Sequence, residues 1–143
     1  MKYYFAYGSN MNLEQMKKRC SNARFLERAY LEGYKFVYDG YSKCRDCAVA
    51  NIVKDEGGIV WGGLFGVTDD DIENLDKYEG YPHVYCKEVL EVKDDEGNNY
   101  KAIVYLRKPQ QAGKPNKEYR QIVLKGAKDC NLPEKYINDF INK

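Results

Sequence analysis

The sequence predicts an α+β domain, in which strands joined by hairpins form the middle of the chain and helices lie mainly before and after them. Aromatic and β-branched strand segments separated by Gly- and Asp-containing turns fill residues 24–67. Helix-start signals stand outside that region, at Asn12 and Asn116. No repeated βαβ pattern is present, which argues against a doubly wound parallel sheet. The length of 143 residues fits one domain, which we take to span residues 1–143.

Residues 2–7 predict a first strand that stops at the corner Gly8-Ser9-Asn10. Asn12 followed by Gln15 is a helix-start pattern, and the helix after it has an apolar side formed by Leu13, Met16 and Cys20. The corner therefore lies between a strand end and a helix start. It is either an ordinary turn, which Gly, Ser and Asn favour, or an anion site formed by backbone N–H groups.

Two hairpins are predicted in the middle of the chain. After the strand segment "RAYLEGYKFVYDG", the segments "AVANIV" and "IVWGGLFGVT" flank Lys54–Gly58, which predicts a hairpin with its turn at these five residues. The second hairpin consists of "KEVLEVK", the polar turn "DDEGNN" and "YKAIVYLR".

A helix between the two hairpins places a carboxylate on its core-facing side. Thr68 is a good N-cap and Gly80 a usual residue just past a helix end. Ile72 and Leu75 form the apolar stripe, and the next position on that stripe is Glu79. Burial and the helix dipole both disfavour ionisation there, so the pKa of Glu79 should rise toward the range useful for proton transfer. The alternative is that the last turn frays and Glu79 reaches solvent.

Two further helices are predicted at the end of the chain. Asn116 caps the first, which places on one face Tyr119, Ile122, Val123 and Gly126. Pro133 fits the first turn of the second, which buries Tyr136, Ile137, Phe140 and Ile141.

The charge balance argues against a nucleic-acid partner. Lys and Arg number 23 and Asp and Glu 22, a net charge of +1, whereas nucleic-acid binders show a clear basic excess. The basic residues are scattered except at Lys17-Lys18-Arg19, which we expect on the solvated side of a helix. No apolar run approaches the ~20 residues that span a bilayer, and the first residues lack the features of a signal peptide. We therefore expect a cytoplasmic protein with no membrane partner.

Five cysteines without a secretion signal predict free thiols. Cys44 and Cys47 form a single CxxC, and the one histidine, His83, is far away in sequence. Structural zinc needs four ligands, so we expect no metal and favour incidental thiols over a zinc or redox role. The 14 tyrosines either supply semi-polar walls for a pocket or are half-exposed strand residues.

Five sequence blocks resemble the γ-glutamylcyclotransferase family, whose domain is also termed AIG2-like. They are "YFAYGSNM", "VANIV", "VWGGLFGVT", "LDKYEGY…Y" and "PNKEYRQIVLKGAKDCNLPEKYI", in the family's order and nearly end to end. The resemblance implies a small mixed β-barrel flanked by helices, with a pocket at the barrel mouth. It also implies γ-glutamyl substrates that release a free amine and 5-oxoproline.

The resemblance also assigns roles to residues. Glu79 matches the catalytic acid/base, and residues 4–9 match the substrate-binding loop. With the neighbouring Asn10 and three tyrosines at pocket positions, the expected substrate-binding residues are Tyr4, Phe5, Ala6, Tyr7, Gly8, Ser9, Asn10, Tyr85, Tyr105 and Tyr119. The spelling "YFAYGSN" is closer to the branch that acts on γ-glutamyl amino acids than to the γ-glutamylamine branch. The stretch Cys44–Cys47 and the surroundings of His83 match no family motif, which leaves the leaving amine open.

The expected function is therefore a γ-glutamyl cyclotransferase that needs neither a cofactor nor a metal. Its expected partner is a small γ-glutamyl substrate, and a homodimer is kept as the candidate assembly. The alternative is a non-catalytic ligand-binding or interaction module of the same fold. Two other rivals are an enzyme of this fold that acts on other γ-glutamyl compounds and a redox or zinc protein that uses Cys44 and Cys47.

Overall fold

The computed structural model describes residues 2–143, and its regular elements form a barrel wall and the helices that flank it. The strands are β1 (Lys2–Ala6), β2 (Arg24–Ser42), β3 (Cys47–Val67), β4 (Cys86–Lys93) and β5 (Asn99–Leu106). The helices are α1 (Leu13–Arg19), α2 (Asp69–Glu79), α3 (Lys117–Asp129) and the short α4 (Glu134–Tyr136). A 3₁₀ turn (Ser9–Met11) precedes α1, and a π-helical turn (Ile137–Ile141) follows α4.

The five strands close into a mixed barrel in the order β1-β3-β2-β4-β5. β1 pairs in parallel with β5, for example Tyr3 with Ala102, and the other pairings are antiparallel. Closure removes the unpaired edges of an open sheet. The predicted α+β class and the small mixed barrel are confirmed.

The predicted hairpin turn at Lys54–Gly58 is wrong. β3 runs through this segment and pairs with β2 on both sides of it, Lys54 with Tyr34 and Ile59 with Glu32. Residues 55–58 therefore oppose the single residue Gly33 and form a bulge. Gly33 (φ 87°) and Gly57 (φ 83°) take the left-handed backbone region that glycine tolerates. The glycines that resemble a turn in the sequence bend a continuous strand instead.

The true turn between β2 and β3 lies at residues 43–46, in the CxxC stretch. Ser42 pairs with Cys47, and the backbone N–H of Asp46 donates to the Ser42 carbonyl at 2.7 Å. Cys44 is exposed and Cys47 is buried, and neither is in a disulfide. Among residues 2–143, no group of three or more His, Cys, Asp or Glu side chains is placed to hold a metal ion. This stretch is therefore a tight hairpin turn.

The helix boundaries follow the predicted caps. The Thr68 hydroxyl accepts from the N–H of Asp71, whose carboxylate accepts from the N–H of Thr68, and Gly80 ends α2 with φ 65°. The Asn116 side chain caps α3 by accepting from the N–H of Tyr119. The hairpin of β4 and β5 is also confirmed. None of the helices described in residues 2–143 is long and apolar enough to cross a membrane.

Helix α3 packs directly against the segment that follows the Gly8 corner. A Cβ atom on Gly126 would lie 2.4 Å from the backbone nitrogen of Asn12 and 2.6 Å from the carbonyl carbon of Met11. The Asn12 side chain donates to the carbonyl of Ile122 at 3.3 Å, and the N–H of Leu13 donates to the carboxylate of Asp129 in α3. The corner is thereby held against a rigid helix.

Replacing Gly126 with Ala should lower the free energy of unfolding by about 1–3 kcal/mol, the usual effect of overpacking. Glycine to alanine in a helix is ordinarily stabilising by about 0.5–1 kcal/mol, so the sign tests the contact. Urea denaturation measures the change, with Gln121→Ala on the exposed side of α3 as the control. A stabilised Gly126→Ala variant would contradict the close packing.

Candidate active site

A cavity of about 850 Å³ opens at the end of the barrel where β1 and β5 finish and β4 begins. Its walls come from the Gly8 corner, α1, the turn between β2 and β3, and the C-terminal end of α2. The predicted site residues that line it are Tyr4, Phe5, Tyr7, Gly8, Ser9, Asn10, Glu79, Tyr85, Tyr105 and Tyr119.

Ala6 is the one predicted site residue that does not line this cavity. It is the last residue of β1, pairs with Gly63 of β3 and is 1% exposed. Its methyl group is therefore part of the packed barrel wall. The predicted contact of Ala6 with a substrate stays a prediction, and in this structure Ala6 supports the cavity from behind its wall.

The Gly8 corner is a turn whose first N–H groups remain free. The N–H of Met11 donates to the Gly8 carbonyl at 3.1 Å, and the N–H of Asn12 donates to the Ser9 carbonyl. The N–H groups of Gly8, Ser9 and Asn10 have no acceptor within residues 2–143. A Cβ atom on Gly8 would lie 3.0 Å from the Cβ of Ala50, so a side chain there has little room. The corner is both a tight turn and a set of available donors.

A network of side-chain amides holds the corner in place. Asn10 donates from Nδ2 to the Tyr4 hydroxyl at 3.0 Å, and its Oδ1 accepts from Gln15 at 3.0 Å and Arg19 at 3.2 Å. Gln15 also donates to the Ser9 hydroxyl at 2.9 Å. The sequence pattern suggested that the Gln15 side chain caps α1. In the structure this side chain instead holds the Gly8 corner. Asn10 is 3% exposed, so this network is part of the interior.

Glu79 is the only carboxylate among the described residues that line the cavity. It is the last residue of α2, is partly accessible through the cavity and is enclosed by protein on its other sides. Burial raises its pKa to about 7, against the opposing effect of the charges of Arg19, Arg107 and Arg45. The prediction of a raised pKa is confirmed, and the alternative of a frayed, solvent-facing helix end is wrong. A carboxyl group in this state can both accept and return a proton near neutral pH.

Tyr85 and Tyr119 both form hydrogen bonds with the backbone of Ala50 at the cavity wall. The Tyr85 hydroxyl donates to the Ala50 carbonyl at 2.7 Å, and the Tyr119 oxygen accepts from the Ala50 N–H at 3.0 Å. Burial raises the pKa of Tyr85 to about 12 and that of Tyr119 further. Both hydroxyls therefore keep their protons near neutral pH. Because Tyr119 accepts from the backbone, its own proton is available to a ligand.

Tyr105 and Tyr7 are held by different partners. Tyr105 donates to Asp76 Oδ1 at 2.6 Å, and Tyr7 donates to the Tyr105 carbonyl at 2.6 Å. Asp76 also accepts from Lys87 at 3.0 Å. Each hydroxyl is thus fixed in direction. The sequence gives no local sign of Asp76, which lies one helical turn before Glu79.

A buried ion pair in the cavity wall has no local sequence signal either. Arg107 and Asp39 lie 2.6 Å apart (Nη1 to Oδ1), with side chains only 6% and 3% exposed. Asn51 donates to Asp39 at 3.1 Å and accepts from the N–H of Arg107 at 3.1 Å. Arg107 also donates to the Tyr85 hydroxyl at 3.2 Å. The one hint in the sequence is a charged residue, Asp39, inside an aromatic strand.

Arg19 and Arg45 complete the cavity wall and were also missed. Lys17 and Lys18 are exposed, as expected for a solvated helix side, but Arg19 is half-buried and lines the cavity. Its guanidinium lies 4.4 Å from the centroid of the Tyr78 ring. Arg45 enters from the turn between β2 and β3. Neither position stands out locally, because surface arginines are common.

Replacing Asp39 with Asn should lower the free energy of unfolding by about 3–5 kcal/mol, because it leaves the Arg107 charge buried without its partner. Chemical denaturation at neutral pH measures this loss. The matched control is Glu32→Gln, which breaks the exposed pair with Lys93 and should change stability much less. Equal effects of the two substitutions would show that the buried pair has no special role.

Together, the barrel and its cavity define an α+β domain with a cavity at the barrel mouth. Residues 59–140 match the model of the AIG2-like family. The chain is 30% identical over 138 residues to γ-glutamylcyclotransferase of Mus musculus. The alignment covers 93% of this chain and 73% of the mouse protein. The human protein of that name is 29% identical with the same coverage. A solved structure named gamma-glutamyl cyclotransferase matches with a TM-score of 0.91 and 27% identity, over 96% of this chain and 85% of the other.

The chain therefore belongs to the AIG2-like family, and its relatives include proteins named γ-glutamylcyclotransferase. The match supports the resemblance seen in the five sequence blocks.

Proposed function

We propose that this protein is a γ-glutamyl cyclotransferase, which converts a γ-glutamyl amino acid or γ-glutamylamine to 5-oxoproline and a free amine. The observation that carries the proposal is the Glu79 carboxyl group, with a pKa of about 7, in the same cavity as the free N–H groups of the Gly8 corner. The names of the relatives agree with this activity.

Ring closure in this reaction needs no nucleophile from the protein. The substrate's own α-amino nitrogen attacks its γ-carbonyl carbon, and a five-membered ring forms. Holding the glutamyl chain folded for this attack can contribute ~7–11 kcal/mol to lowering the barrier. The protein's task is then to fold the substrate and to move protons.

Glu79 is the proposed acid/base. Its carboxylate takes a proton from the α-ammonium group, and the freed amine attacks the γ-carbonyl carbon to give a tetrahedral oxyanion. The protonated carboxyl then gives that proton to the departing nitrogen as the carbon–nitrogen bond breaks and the oxyanion becomes the lactam carbonyl. The ring nitrogen, which still carries two protons after the attack, loses one of them to Glu79, and Glu79 passes it to the released amine, which leaves as an ammonium ion. The products are 5-oxoproline and the amine, and Glu79 returns to its starting state. A pKa near 7 suits both transfers.

The Gly8 corner is the proposed seat of the substrate's α-carboxylate. The free N–H groups of Gly8, Ser9 and Asn10 can donate to an anion, and the absence of a side chain on Gly8 lets the ligand approach the backbone. The developing oxyanion is the other candidate for these donors. The protonated Tyr119 hydroxyl supplies a further donor beside the corner, because its oxygen would lie 3.9 Å from a Cβ atom on Gly8.

The proposed steps consist of proton transfer and ring closure, which require neither a metal ion nor an organic cofactor. We place the reaction in the cytoplasm, because the five cysteines form no disulfide within residues 2–143 and such thiols suit a reducing compartment.

The direct experiment is incubation with γ-glutamyl amino acids, γ-glutamylamines and glutathione, followed by measurement of 5-oxoproline. We expect 5-oxoproline from at least one of these classes, and unchanged activity after exhaustive chelation. A substrate with a blocked α-amine should not be cleaved, because it has no nucleophile. Cleavage of the blocked substrate at the normal rate would contradict the cyclisation.

Replacing Glu79 with Gln should lower kcat by ~10²–10⁴-fold, the usual range for a lost general acid–base. The amide has nearly the same volume but cannot accept the ammonium proton. The control is Glu73→Gln, an exposed position on the same helix. Thermal melting distinguishes lost chemistry from lost structure. A folded Glu79→Gln variant with unchanged turnover would remove Glu79 from the mechanism.

The pH dependence of kcat/KM gives a separate prediction. Glu79 must be ionised to accept a proton, so kcat/KM should rise with pH up to about 7 and then level off. Stability should change in the opposite sense. The folded pKa lies above the unfolded value, so ionisation of Glu79 lowers the free energy of unfolding as pH rises from the unfolded pKa to about 7. The melting temperature of Glu79→Gln, relative to the wild type, should therefore rise across this interval.

A further inference from the structure

The turn between β2 and β3 presents one arginine to the cavity on a well-anchored backbone. The N–H of Arg45 donates to the Ser42 hydroxyl at 3.2 Å, and its carbonyl accepts from the Asn116 side chain at 2.6 Å. Asn116 is also the N-cap of α3. The position of Arg45 is therefore tied to the same helix that supports the Gly8 corner.

The Arg45 side chain is held by neutral groups only. Its Nη2 donates to Gln15 Oε1 at 2.9 Å, and the guanidinium lies 5.3 Å from the centroid of the Tyr119 ring. Within residues 2–143, no carboxylate forms a salt bridge with Arg45, whereas Arg107 and Arg28 each have an aspartate partner. A guanidinium has five N–H donors, so Arg45 keeps donors free for an anion.

The charges of the described cavity residues favour an anionic ligand with more than one acidic group. The half-buried Arg19 and Arg45 and the exposed Lys43 and Lys77 line the cavity without a salt-bridge partner within residues 2–143, while Arg107 is neutralised by Asp39. The carboxyl group of Glu79 is the one acidic group in the wall. A γ-glutamyl amino acid has two carboxylates and one ammonium group, and a γ-glutamylamine has one of each.

We propose that Arg45 binds the carboxylate of the leaving amino acid, so that the enzyme prefers γ-glutamyl amino acids to γ-glutamylamines. The inference rests on the proposed cyclotransferase activity. Arg19 donates directly to Asn10 of the Gly8 corner, where the α-carboxylate is placed, whereas Arg45 reaches the corner only through Gln15. Arg45 is half-buried on a turn whose neighbouring residues 43 and 44 are exposed, so it is the cation that we assign to the second anion. The planar fork of a guanidinium matches a carboxylate with two parallel hydrogen bonds. In this proposal, the turn between β2 and β3, which matches no family motif, determines the preference between the two substrate classes.

The test compares γ-glutamyl-alanine with γ-glutamyl-ethylamine, which differ only in the leaving carboxylate. Wild type should have the lower KM for γ-glutamyl-alanine. Arg45→Gln should raise that KM by ~10-fold or more, as expected for a lost charge-assisted bidentate contact, and leave the KM for γ-glutamyl-ethylamine unchanged. Arg45→Lys, which keeps the charge, should retain part of the preference. The control is Arg24→Gln, an exposed arginine outside this cavity.

The measurements are made at a pH above the acid limb of each variant, because the charge of Arg45 also lowers the pKa of Glu79. An equal rise in KM for both substrates would overturn the proposal, since it would assign Arg45 to the α-carboxylate. The absence of any substrate preference in the wild type would overturn it as well.

A binding measurement separates this subsite from the proposed activity. Glutaryl-alanine and glutaryl-ethylamine lack the α-amine and cannot cyclise, so calorimetry reports their affinities without turnover. Tighter binding of glutaryl-alanine, lost in Arg45→Gln, supports the subsite even if no γ-glutamyl compound yields 5-oxoproline, a result that would contradict the proposed function alone. Equal binding of the two analogues to wild type overturns the subsite and leaves the activity untouched.

Discussion

The buried ion pair between Arg107 and Asp39 joins the three strands that carry the cavity wall. Asp39 lies in β2, Asn51 in β3, and Arg107 directly follows β5. Arg107 also donates to the carbonyls of Val49 and Ala50, at 3.3 and 3.4 Å. A buried ion pair often adds little net stability, because desolvation offsets the attraction. Here its consequence is geometric, since it fixes the backbone unit that the tyrosines of the site contact.

The same arginine takes part in the electrostatic balance at Glu79. Burial favours the protonated carboxyl, and the charges of Arg19, Arg107 and Arg45 favour the carboxylate. The resulting pKa of about 7 depends on groups from α1, the turn between β2 and β3, and the end of β5. A change in any one of these segments would therefore alter the protonation of Glu79 without touching it. If the proposed roles hold, this coupling links the binding of the substrate's second carboxylate at Arg45 to the proton transfer at Glu79.

The Gly8 corner obtains its rigidity from both sides. Gly126 of α3 lets that helix contact the backbone of Met11 and Asn12, and the amide groups of Asn10 and Gln15 tie the corner to α1. Backbone N–H groups bind an anion well only when they need not reorganise. The fold supplies that preorganisation for the proposed carboxylate site by placing the Gly8 corner between α1 and α3.

Much of the local structure of this protein could be predicted from the sequence alone, because it depends on interactions between residues close together in the chain. The caps at Thr68 and Asn116, the helix end at Gly80 and the placement of Glu79 on a buried stripe all depend on neighbours in the chain. Capping and periodicity act over one or two turns, which is why these predictions were confirmed.

Tertiary structure decided what depends on distant partners. Glycines at 57 and 58 have the same local preference in a turn and in a bulge, and only the pairing of β3 with β2 selects the bulge. Ala6 belongs to a loop motif by sequence but to the barrel wall by packing. The placement of Arg19, Arg45 and Arg107 in the cavity wall could not be predicted from their neighbours in the sequence. Whether an arginine lies on the surface or in a cavity depends on which distant segments pack around it. Their partners and the carboxyl group they influence come from segments far apart in the chain.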